Sequence, residues 1–200
     1  MNTVNTKRGD TVKTLKIPMS SFHPLLVTRN RGKQVKEMIS IRLQAEDDWS
    51  ILLLDFSDVQ VLDYSWADEC IAKLTAEVNA ELYGPKGILI TNCTDDQAEN
   101  LSAALLQRNL TLLRQISSNW VILGELKEPL FSTLAFLNQK DKVTARDIAD
   151  YFQLAINTAS NRLSELYKRH LTLRYEEIMP NGGKQFMYHS LLLVLKNTIH

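Results

Sequence analysis

The apolar run ILLLDF at residues 51–56 constrains the fold of this chain more than any other feature. It has no polar alternation, and acidic and small residues follow it at once. Such a run is typical of a buried strand in a parallel sheet, because a half-exposed strand would alternate polar and apolar residues. The run GILITN at 87–92 has the same character. We therefore expect a mainly parallel sheet in the first part of the chain.

Segments with helical spacing alternate with these strands. Residues 28–43 place apolar side chains on one face, with Thr28 as the expected N-cap and Gly32 as a weak point inside the helix. Residues 63–82 predict a long one-sided helix. Thr94 and Gln97 occupy the positions of a capping box before a further helix over 95–108. Shorter strands are predicted at 12–20 and 119–125. This alternation up to about residue 125 favours an α/β layer.

Beyond residue 126 the pattern changes to helices followed by a hairpin. Pro129 stands near the first position of one helix, and Thr144 lies three residues before Asp147 at the start of the next. A short turn leads into NTASNRLSELYKRH at 157–170. Two β-type runs, 171–179 and 184–195, are joined by PNGG, which is a strong hairpin signal. We expect an α+β unit here.

Charge and composition are consistent with two globular domains. Of 200 residues, 44% are hydrophobic and 23% charged, and the formal net charge is zero. Residues 127–200 nevertheless carry +3, and residues 1–126 carry −3. The predicted organisation is a flexible terminus at 1–11, an α/β domain at 12–125 and a second domain at 126–200.

The location expected from the sequence is the cytoplasm. The first residues have no apolar leader segment, and no stretch approaches the ~20 apolar residues of a membrane span. Cys70 and Cys93 have no metal-ligand spacing and fall in apolar stretches. We expect both to be buried thiols rather than a disulfide.

The helix at 156–169 carries hydrogen-bonding side chains on the half that its leucine seam leaves free. Such side chains suit base edges and phosphate oxygens, and the helix N-terminus also favours phosphate. Two basic residues at its other end and one beside the hairpin tip could reach the DNA backbone. The candidate DNA contacts are Asn157, Thr158, Ser160, Asn161, Arg162, Lys168, Arg169 and Lys184.

Residues 128–195 resemble the winged helix-turn-helix family of bacterial transcription regulators. The marks are DIA at 147–149, NTASNRLSEL at 157–166 and PNGGKQFMY at 180–188. The resemblance implies that the helix at 156–169 enters the major groove of duplex DNA. Ala155 and Ile156 depart from the pattern, because a polar cap or a basic residue is common there.

Residues 22–123 resemble the STAS-like family of small bacterial α/β domains, on the marks LVTRNRGKQV and LDFSDVQVLDYSWADE. In anti-sigma-factor antagonists of that family a kinase phosphorylates a hydroxyl at the start of a helix that also forms the partner surface. Asp63 matches the family's Asp, and Ser65 keeps one hydroxyl, whereas Tyr64 and Trp66 depart from the pattern. Ser65 is thus a candidate phosphorylation site.

A structural interpretation of the same residues stays open. Ser65 and Asp68 would then simply cap the helix, and Trp66 and Trp49 would be core or interface aromatics. The departures at Tyr64 and Trp66 count against phosphorylation and favour a purely structural role for Ser65.

Catalytic chemistry is not indicated. The four histidines have no ligand spacing, and Asp55, Asp58 and Asp63 near a strand end lack a Lys, His or Gly-rich partner. No nucleotide-phosphate loop follows any strand. We expect no enzyme activity, no metal and no cofactor.

The function predicted from the sequence is a DNA-binding transcriptional regulator whose STAS-like domain binds a regulatory protein or kinase. A homodimer is expected to read a palindrome. The rival hypothesis is a protein-interaction adaptor, controlled by phosphorylation, in which neither half touches nucleic acid.

Overall fold

The computed structural model describes residues 13–48, 50–117, 119–178 and 182–192. Within these ranges, no helix has both the length and the apolar character that crossing a membrane requires. The strands of the first part are β1 (Thr14–Pro18), β2 (Leu25–Leu26), β3 (Ile51–Asp55), β4 (Val61–Leu62), β5 (Gly87–Thr91), β6 (Thr111–Ile116) and β7 (Asn119–Gly124). The helices there are α1 (Arg29–Gln44), α2 (Tyr64–Ala67), α3 (Lys73–Asn79) and α4 (Asp95–Gln107).

Five of these strands form one sheet in the order β1-β3-β5-β6-β7. The first three pairings are parallel, and β7 returns antiparallel to β6. The predicted mainly parallel sheet and its alternating helices are confirmed. Strand β6 was missing from the prediction. The pair β2–β4 is a separate two-residue parallel contact.

One face of the sheet is covered by α1, α2, α3 and α4. Leu52 and Leu54 of β3 and Ile88 and Ile90 of β5 point to this side and are almost completely buried. Their alternate neighbours point to the opposite face, as the two-residue period of a strand requires.

The opposite face is covered by the C-terminal part of the chain. Ile51 and Leu53 of β3 and Leu89 of β5 belong to a second hydrophobic cluster together with residues from 130 to 191. Gly87 allows a close approach here, because a Cβ at this position would lie 2.9 Å from Leu191 Cδ2. The two parts therefore share one buried interface through the sheet.

The C-terminal part consists of α5 (Glu128–Lys140), β8 (Lys142–Thr144), α6 (Ala145–Phe152), α7 (Ile156–Lys168), β9 (Thr172–Ile178) and β10 (Lys184–Ser190). The last two strands form the predicted antiparallel hairpin, and β8 adds to β10 on the other side. Residues 179–181 of the predicted PNGG turn lie outside the described residues. Both predicted capping boxes, Thr94–Gln97 and Thr144–Asp147, are confirmed.

The predicted helix over 63–82 is shorter and less regular than expected. It runs from Tyr64 to Asn79, with a π-helical turn over Asp68–Ala72 in its middle. Leu82, expected on its apolar face, lies beyond the helix end and is 63% exposed. The wider π turn buries Asp68 and Glu69 beside Cys70 and Ile71, so the local backbone, not the helical period alone, decides which residues are inside.

The cysteines and Trp66 lie in the interior of the protein. Cys70 and Cys93 are buried free thiols, as predicted, and burial raises the pKa of both. Trp66 is a core residue, 1% exposed, whereas Trp49 lies outside the described residues. Thr28 is the N-cap residue of α1, but its side chain does not cap the helix.

Candidate nucleic-acid interface and the junction of α1 with α2

Helix α7 is held in place by a narrow apolar stripe. Ala159, Leu163 and Leu166 have no exposed surface and belong to the second hydrophobic cluster with Ile148 and Ala149 of α6. The spacing of three and four residues keeps all three on one face of the helix. The opposite face is therefore turned away from the rest of the protein.

The polar residues at the start of α7 lie on that outer face. Asn157, Thr158 and Asn161 are exposed, and Ser160 is half-buried. The N-cap residue Ala155 offers no side-chain hydrogen bond to the first turn. Within the part of the chain that the structure describes, the side chains of Asn157, Thr158 and Asn161 make no hydrogen bond. In the described structure the backbone N–H of Thr158 donates to the Ala155 carbonyl at 2.9 Å. The side-chain donors and acceptors, and the backbone N–H groups of Ile156 and Asn157, can therefore meet an external ligand.

Arg162 is held beside this surface without an acidic partner among the described residues. Its guanidinium carbon lies 5.8 Å from the centre of the Phe152 ring, a cation–π distance. The side chain is half-buried. The guanidinium thus lies near the Phe152 ring, and its charge stays available to an anion.

The predicted basic contacts elsewhere are separate from this surface. Lys168 and Arg169 lie at the far end of α7, about 17–18 Å along the helix axis from Asn157 at ~1.5 Å per residue. Lys168 is exposed, whereas Arg169 Nε donates to Glu165 Oε1 at 3.0 Å and its Nη1 donates to Thr111 Oγ1 at 3.4 Å. Arg169 is thus directed towards the sheet.

Lys184, predicted as a contact from the hairpin, is exposed at the start of β10. Its ammonium forms an ion pair with Glu176 on β9 at 2.5 Å. Both side chains are largely exposed, so the pair contributes at most about 1 kcal/mol and can exchange its partner.

Exposed apolar side chains near α7 were not predicted as part of the site. Tyr151 and Ile156 flank the turn between α6 and α7 and are 61% and 51% exposed. Ile178 and Phe186 are exposed on the hairpin. A signal was present for Tyr151, because it falls outside the stripe of Ile148, Ala149 and Phe152 that the helical period defines.

A second polar cluster joins the starts of α1 and α2. The Asp63 carboxylate accepts the backbone N–H of Trp66 at 2.7 Å through Oδ1 and the backbone N–H of Thr28 at 2.9 Å through Oδ2. Asp63 is therefore the side-chain cap of α2. Burial alone would raise the pKa of Asp63, but these hydrogen bonds outweigh it and lower the pKa.

The predicted capping by Ser65 and Asp68 is corrected by this geometry. The Ser65 hydroxyl donates to Asp63 Oδ1 at 2.9 Å, so it supports the cap and does not replace it. Asp68 instead accepts Arg108 Nε at 2.6 Å and Arg29 Nη1 at 2.9 Å. The hydrogen bond from Arg108, followed by that from Arg29, holds the pKa of Asp68 below its usual value. Asp68 lies five residues inside the helical segment, too far from its start to serve as a cap.

The acidic residues near the end of β3 differ in burial and in hydrogen-bond partners. Asp55 is buried and accepts Lys16 Nζ at 2.8 Å, Asn92 Nδ2 at 2.8 Å and the Ser57 hydroxyl at 2.7 Å. Burial opposes ionisation of Asp55, yet these donors hold its pKa far below the usual range. Asp58 is exposed. Among the described residues no group of three or more His, Cys, Asp and Glu side chains is arranged to hold a metal ion.

Comparison with solved structures finds a partial likeness. A protein described as a possible transcriptional regulator from Methanosarcina mazei Go1 matches with a TM-score of 0.33 and 9% sequence identity, over 44% of this chain and 80% of that chain. No protein-family model matches the chain, and no curated protein matches its sequence.

Proposed function

We propose that this protein is a DNA-binding transcriptional regulator, with a winged helix-turn-helix at its C-terminal end and a STAS-like layer before it. The observation that carries the proposal is the free polar start of α7. Asn157, Thr158 and Asn161 are exposed and without side-chain partners in the described structure, while the opposite face of the same helix is fully buried.

The order of elements supports the winged-helix assignment. Helix α5, strand β8, helices α6 and α7 and the β9–β10 hairpin follow one another in the chain, and β8 joins the hairpin in one antiparallel sheet. In helix-turn-helix proteins the helix that follows the turn is the one that enters the major groove. In this protein that helix is α7.

The side chains at the start of α7 have the chemistry of base readout. Asn pairs with the N6 and N7 positions of adenine through two hydrogen bonds, and Arg pairs with O6 and N7 of guanine. Asn157 and Asn161 lie four residues apart and so share one face of the helix. Arg162 follows Asn161 directly, and its guanidinium lies near the Phe152 ring. We assign Asn161 and Arg162 to base edges and Lys184 to a phosphate.

Salt dependence of binding tests the proposal. Fluorescence anisotropy with a mixed-sequence duplex of about 30 base pairs should show weak non-specific binding at about 50 mM salt that falls steeply by about 200 mM. Removing one cation that binds a phosphate should reduce the log–log slope by roughly one. Substituting Lys184→Ala should therefore lower the slope by about one, and Arg162→Ala with Lys184→Ala should weaken binding further.

The matched control removes the same charge from the other half of the chain. Arg31 and Lys33 are exposed cations on α1, and replacing both by Ala should leave the affinity and the slope almost unchanged. Absence of binding by the wild-type chain at the lower salt concentration, or equal losses in the two double variants, would contradict the proposal.

The STAS-like layer is proposed to bind a regulatory protein around the junction of α1 with α2. The Asp63 carboxylate joins the backbone of Thr28 to that of Trp66 there. Arg29 in addition reaches Asp68 and Glu69 of the π-helical turn at 2.9 Å, so polar contacts connect the start of α1 with the helical segment that begins at Tyr64. Phosphorylation of Ser65 would break its hydrogen bond to Asp63 and place phosphate beside that carboxylate. Repulsion would then weaken the cap, which gives a phosphate at this position a structural effect.

Mass spectrometry of protein isolated from its own cells tests the Ser65 part of the proposal. A phosphopeptide spanning Ser65 in any growth condition supports kinase control. An unmodified Ser65 in every condition would remove kinase control and leave partner binding to be tested by itself.

A protein-binding winged helix is the second candidate, and one observation favours it. Tyr151, Ile156, Ile178 and Phe186 place exposed apolar surface on the same unit as α7, and apolar side chains of this kind are common at protein interfaces. In that case Tyr151→Ser should abolish capture of the partner and leave the weak DNA affinity as it was.

A further inference from the structure

The outer edge of the five-stranded sheet at β7 lacks the charged residues and prolines that commonly protect an edge strand. Residues 117–124 contain no charged residue and no proline. Edge strands present unpaired backbone groups, and soluble proteins commonly block them with charges or proline. The opposite edge, β1, carries Lys16 and Pro18 in this way.

The edge strands of the three-stranded sheet, β8 and β9, also carry charged residues. Strand β8 is three residues long and begins with Lys142. Strand β9 carries Arg174, Glu176 and Glu177. Among the edges of these two sheets in the described structure, β7 is therefore the one without a charge or a proline.

The backbone groups that β7 presents outward can be identified. The N–H of Gly124 donates to the Ser102 hydroxyl at 2.9 Å, so it points away from β6. Because N–H and C=O groups alternate in direction along a strand, those of Ile122 and Trp120 also point away from β6. No hydrogen bond reaches them from outside the β6–β7 pair in the described part of the chain.

The side chains at the centre of this edge, residues 120–122, are apolar. Val121 is 37% exposed, and Trp120 and Ile122 are half-buried. The Trp120 ring lies 5.5 Å from that of Phe131, which is 38% exposed on α5. The edge thus combines free backbone donors and acceptors with apolar surface.

We propose that β7 pairs antiparallel with β7 of a second copy of this chain, so that the two sheets become one continuous sheet. In the register that pairs the outward-facing backbone groups of both residues, Trp120 lies opposite Ile122 of the second copy. Ile122 then lies opposite Trp120 of the second copy. A two-fold axis then passes at Val121, which faces its own equivalent. An antiparallel strand pair is compatible with such an axis.

A second copy fits this edge because the edge is complementary to itself. Any charge near the axis would meet a like charge in the other chain, and residues 117–124 have none. Trp120 and Ile122 form an aromatic–β-branched cross-strand pair, a favourable combination in sheets. The pairing needs no nucleic acid, and its test is independent of DNA binding.

Mass measurement with charged variants tests the pairing. Light scattering after gel filtration of the full chain at about 10–100 µM should give twice the chain mass of 22.8 kDa. Val121→Lys and Val121→Glu each place like charges opposite one another at the axis, roughly 5 Å apart between Cβ atoms. Each variant alone should associate at least about tenfold more weakly. Val121→Thr, the uncharged control, should stay paired.

Mixing the two charged variants tests whether Val121 lies at the axis. An equimolar mixture of the Lys and Glu variants should recover the paired mass, because opposite charges then meet at the axis. A wild-type chain that remains single throughout the concentration range would overturn the proposal. So would a Val121→Lys variant that pairs as well as the wild type, since the contact would then lie on another face.

Hydrogen exchange provides a readout that needs no variant. In the paired wild type the amides of Trp120 and Ile122 should exchange slowly, as those of a central strand do. Fast exchange of both amides at the highest concentration would contradict the proposal even if the chain were paired.

Discussion

The carboxylate of Asp63 accepts the backbone N–H of Thr28 across a separation of 35 residues, at 2.9 Å. The same side chain caps α2 through Trp66. Thr28 has a positive φ of 74°, which costs energy for a β-branched residue. The hydrogen bond to Asp63 helps to hold this conformation, so one carboxylate fixes how two helices start.

Replacing Asp63 by Asn should lower the free energy of unfolding at pH 7 by about 1–2 kcal/mol, because a charged acceptor of two backbone N–H groups is lost. The lowered pKa of Asp63 means that its stabilisation is present above the unfolded pKa and is lost as pH falls through the folded pKa. The variant and the wild type should therefore converge in acid. Urea unfolding from neutral pH down to about pH 2.5 measures both effects, and Asp58→Asn, at an exposed carboxylate, is the control.

Replacing Gly32 by Ala should destabilise the protein even though Ala is the better helix former. A Cβ at this position would lie 3.0 Å from the Trp66 carbonyl oxygen and 3.2 Å from Glu69 Cβ. Separating α1 from α2 should cost about 1–3 kcal/mol, more than the helix propensity gained. Thermal unfolding measures the change. Lys33→Ala on the exposed side of the same helix should be nearly neutral, and equal stability of the two variants would refute a clash at Gly32.

Replacing Leu89 by Ala should destabilise both parts of the chain together, by about 2–5 kcal/mol. Leu89 is fully buried where the sheet meets the C-terminal cluster. Hydrogen exchange should show amides of β5 and of α7 losing protection in parallel. Leu106→Ala, at a 49% exposed leucine on α4, is the control. Loss of protection confined to residues before 125 would speak against a shared core.

His170 should make the stability of the protein sensitive to mild acid. Burial lowers its pKa, and its ring nitrogen Nδ1 lies 2.5 Å from the carbonyl oxygen of Lys86 on the other part of the chain. The His170 imidazole therefore binds a proton more readily in the unfolded chain than in the folded one. The free energy of unfolding has its full value above about pH 6.5, the usual pKa of histidine, and falls as the pH drops below it. Glu81 and Lys86 are the charged residues nearby.

Urea unfolding at about pH 7.5 and about pH 5.5 measures the effect. His170→Asn keeps a donor and tolerates the positive φ of 52° at this position. The variant should lose less stability than the wild type between the two pH values. An equal loss in both would assign the acid sensitivity to other groups.

The local signals in the sequence predicted the elements that local physics decides. The capping boxes at Thr94 and Thr144 and the apolar runs of β3 and β5 were identified because neighbouring residues determine them. Strand β6 was missed, since its run TLLRQI includes Arg114, which is buried only because Asp95 and the Cys93 carbonyl receive its guanidinium. Those partners lie at the start of α4 and in the loop before it.

For the candidate site, too, the sequence predicted the features that depend on neighbouring residues. The leucine stripe of α7 defined which residues face outward, so Asn157, Thr158 and Asn161 were identified as exposed. Which cations are already engaged was not accessible, because Glu165 and Glu176 reach Arg169 and Lys184 through geometry that spacing alone does not show. The cap at Asp63 was misassigned although its hydrogen bond to Trp66 is local. Only its second hydrogen bond, from Thr28, depends on distant residues.

The apolar runs of β3 and β5 require cover on both faces, and the C-terminal half supplies one of the two covers. A fragment that stops near residue 125 would expose Leu53 and Leu89 to water, and a fragment that begins there would lose the sheet side chains from its own hydrophobic cluster. Neither half therefore keeps its full hydrophobic core when it is separated from the other. Gene rearrangements that shuffle one half into another protein would have to bring a replacement sheet face with it.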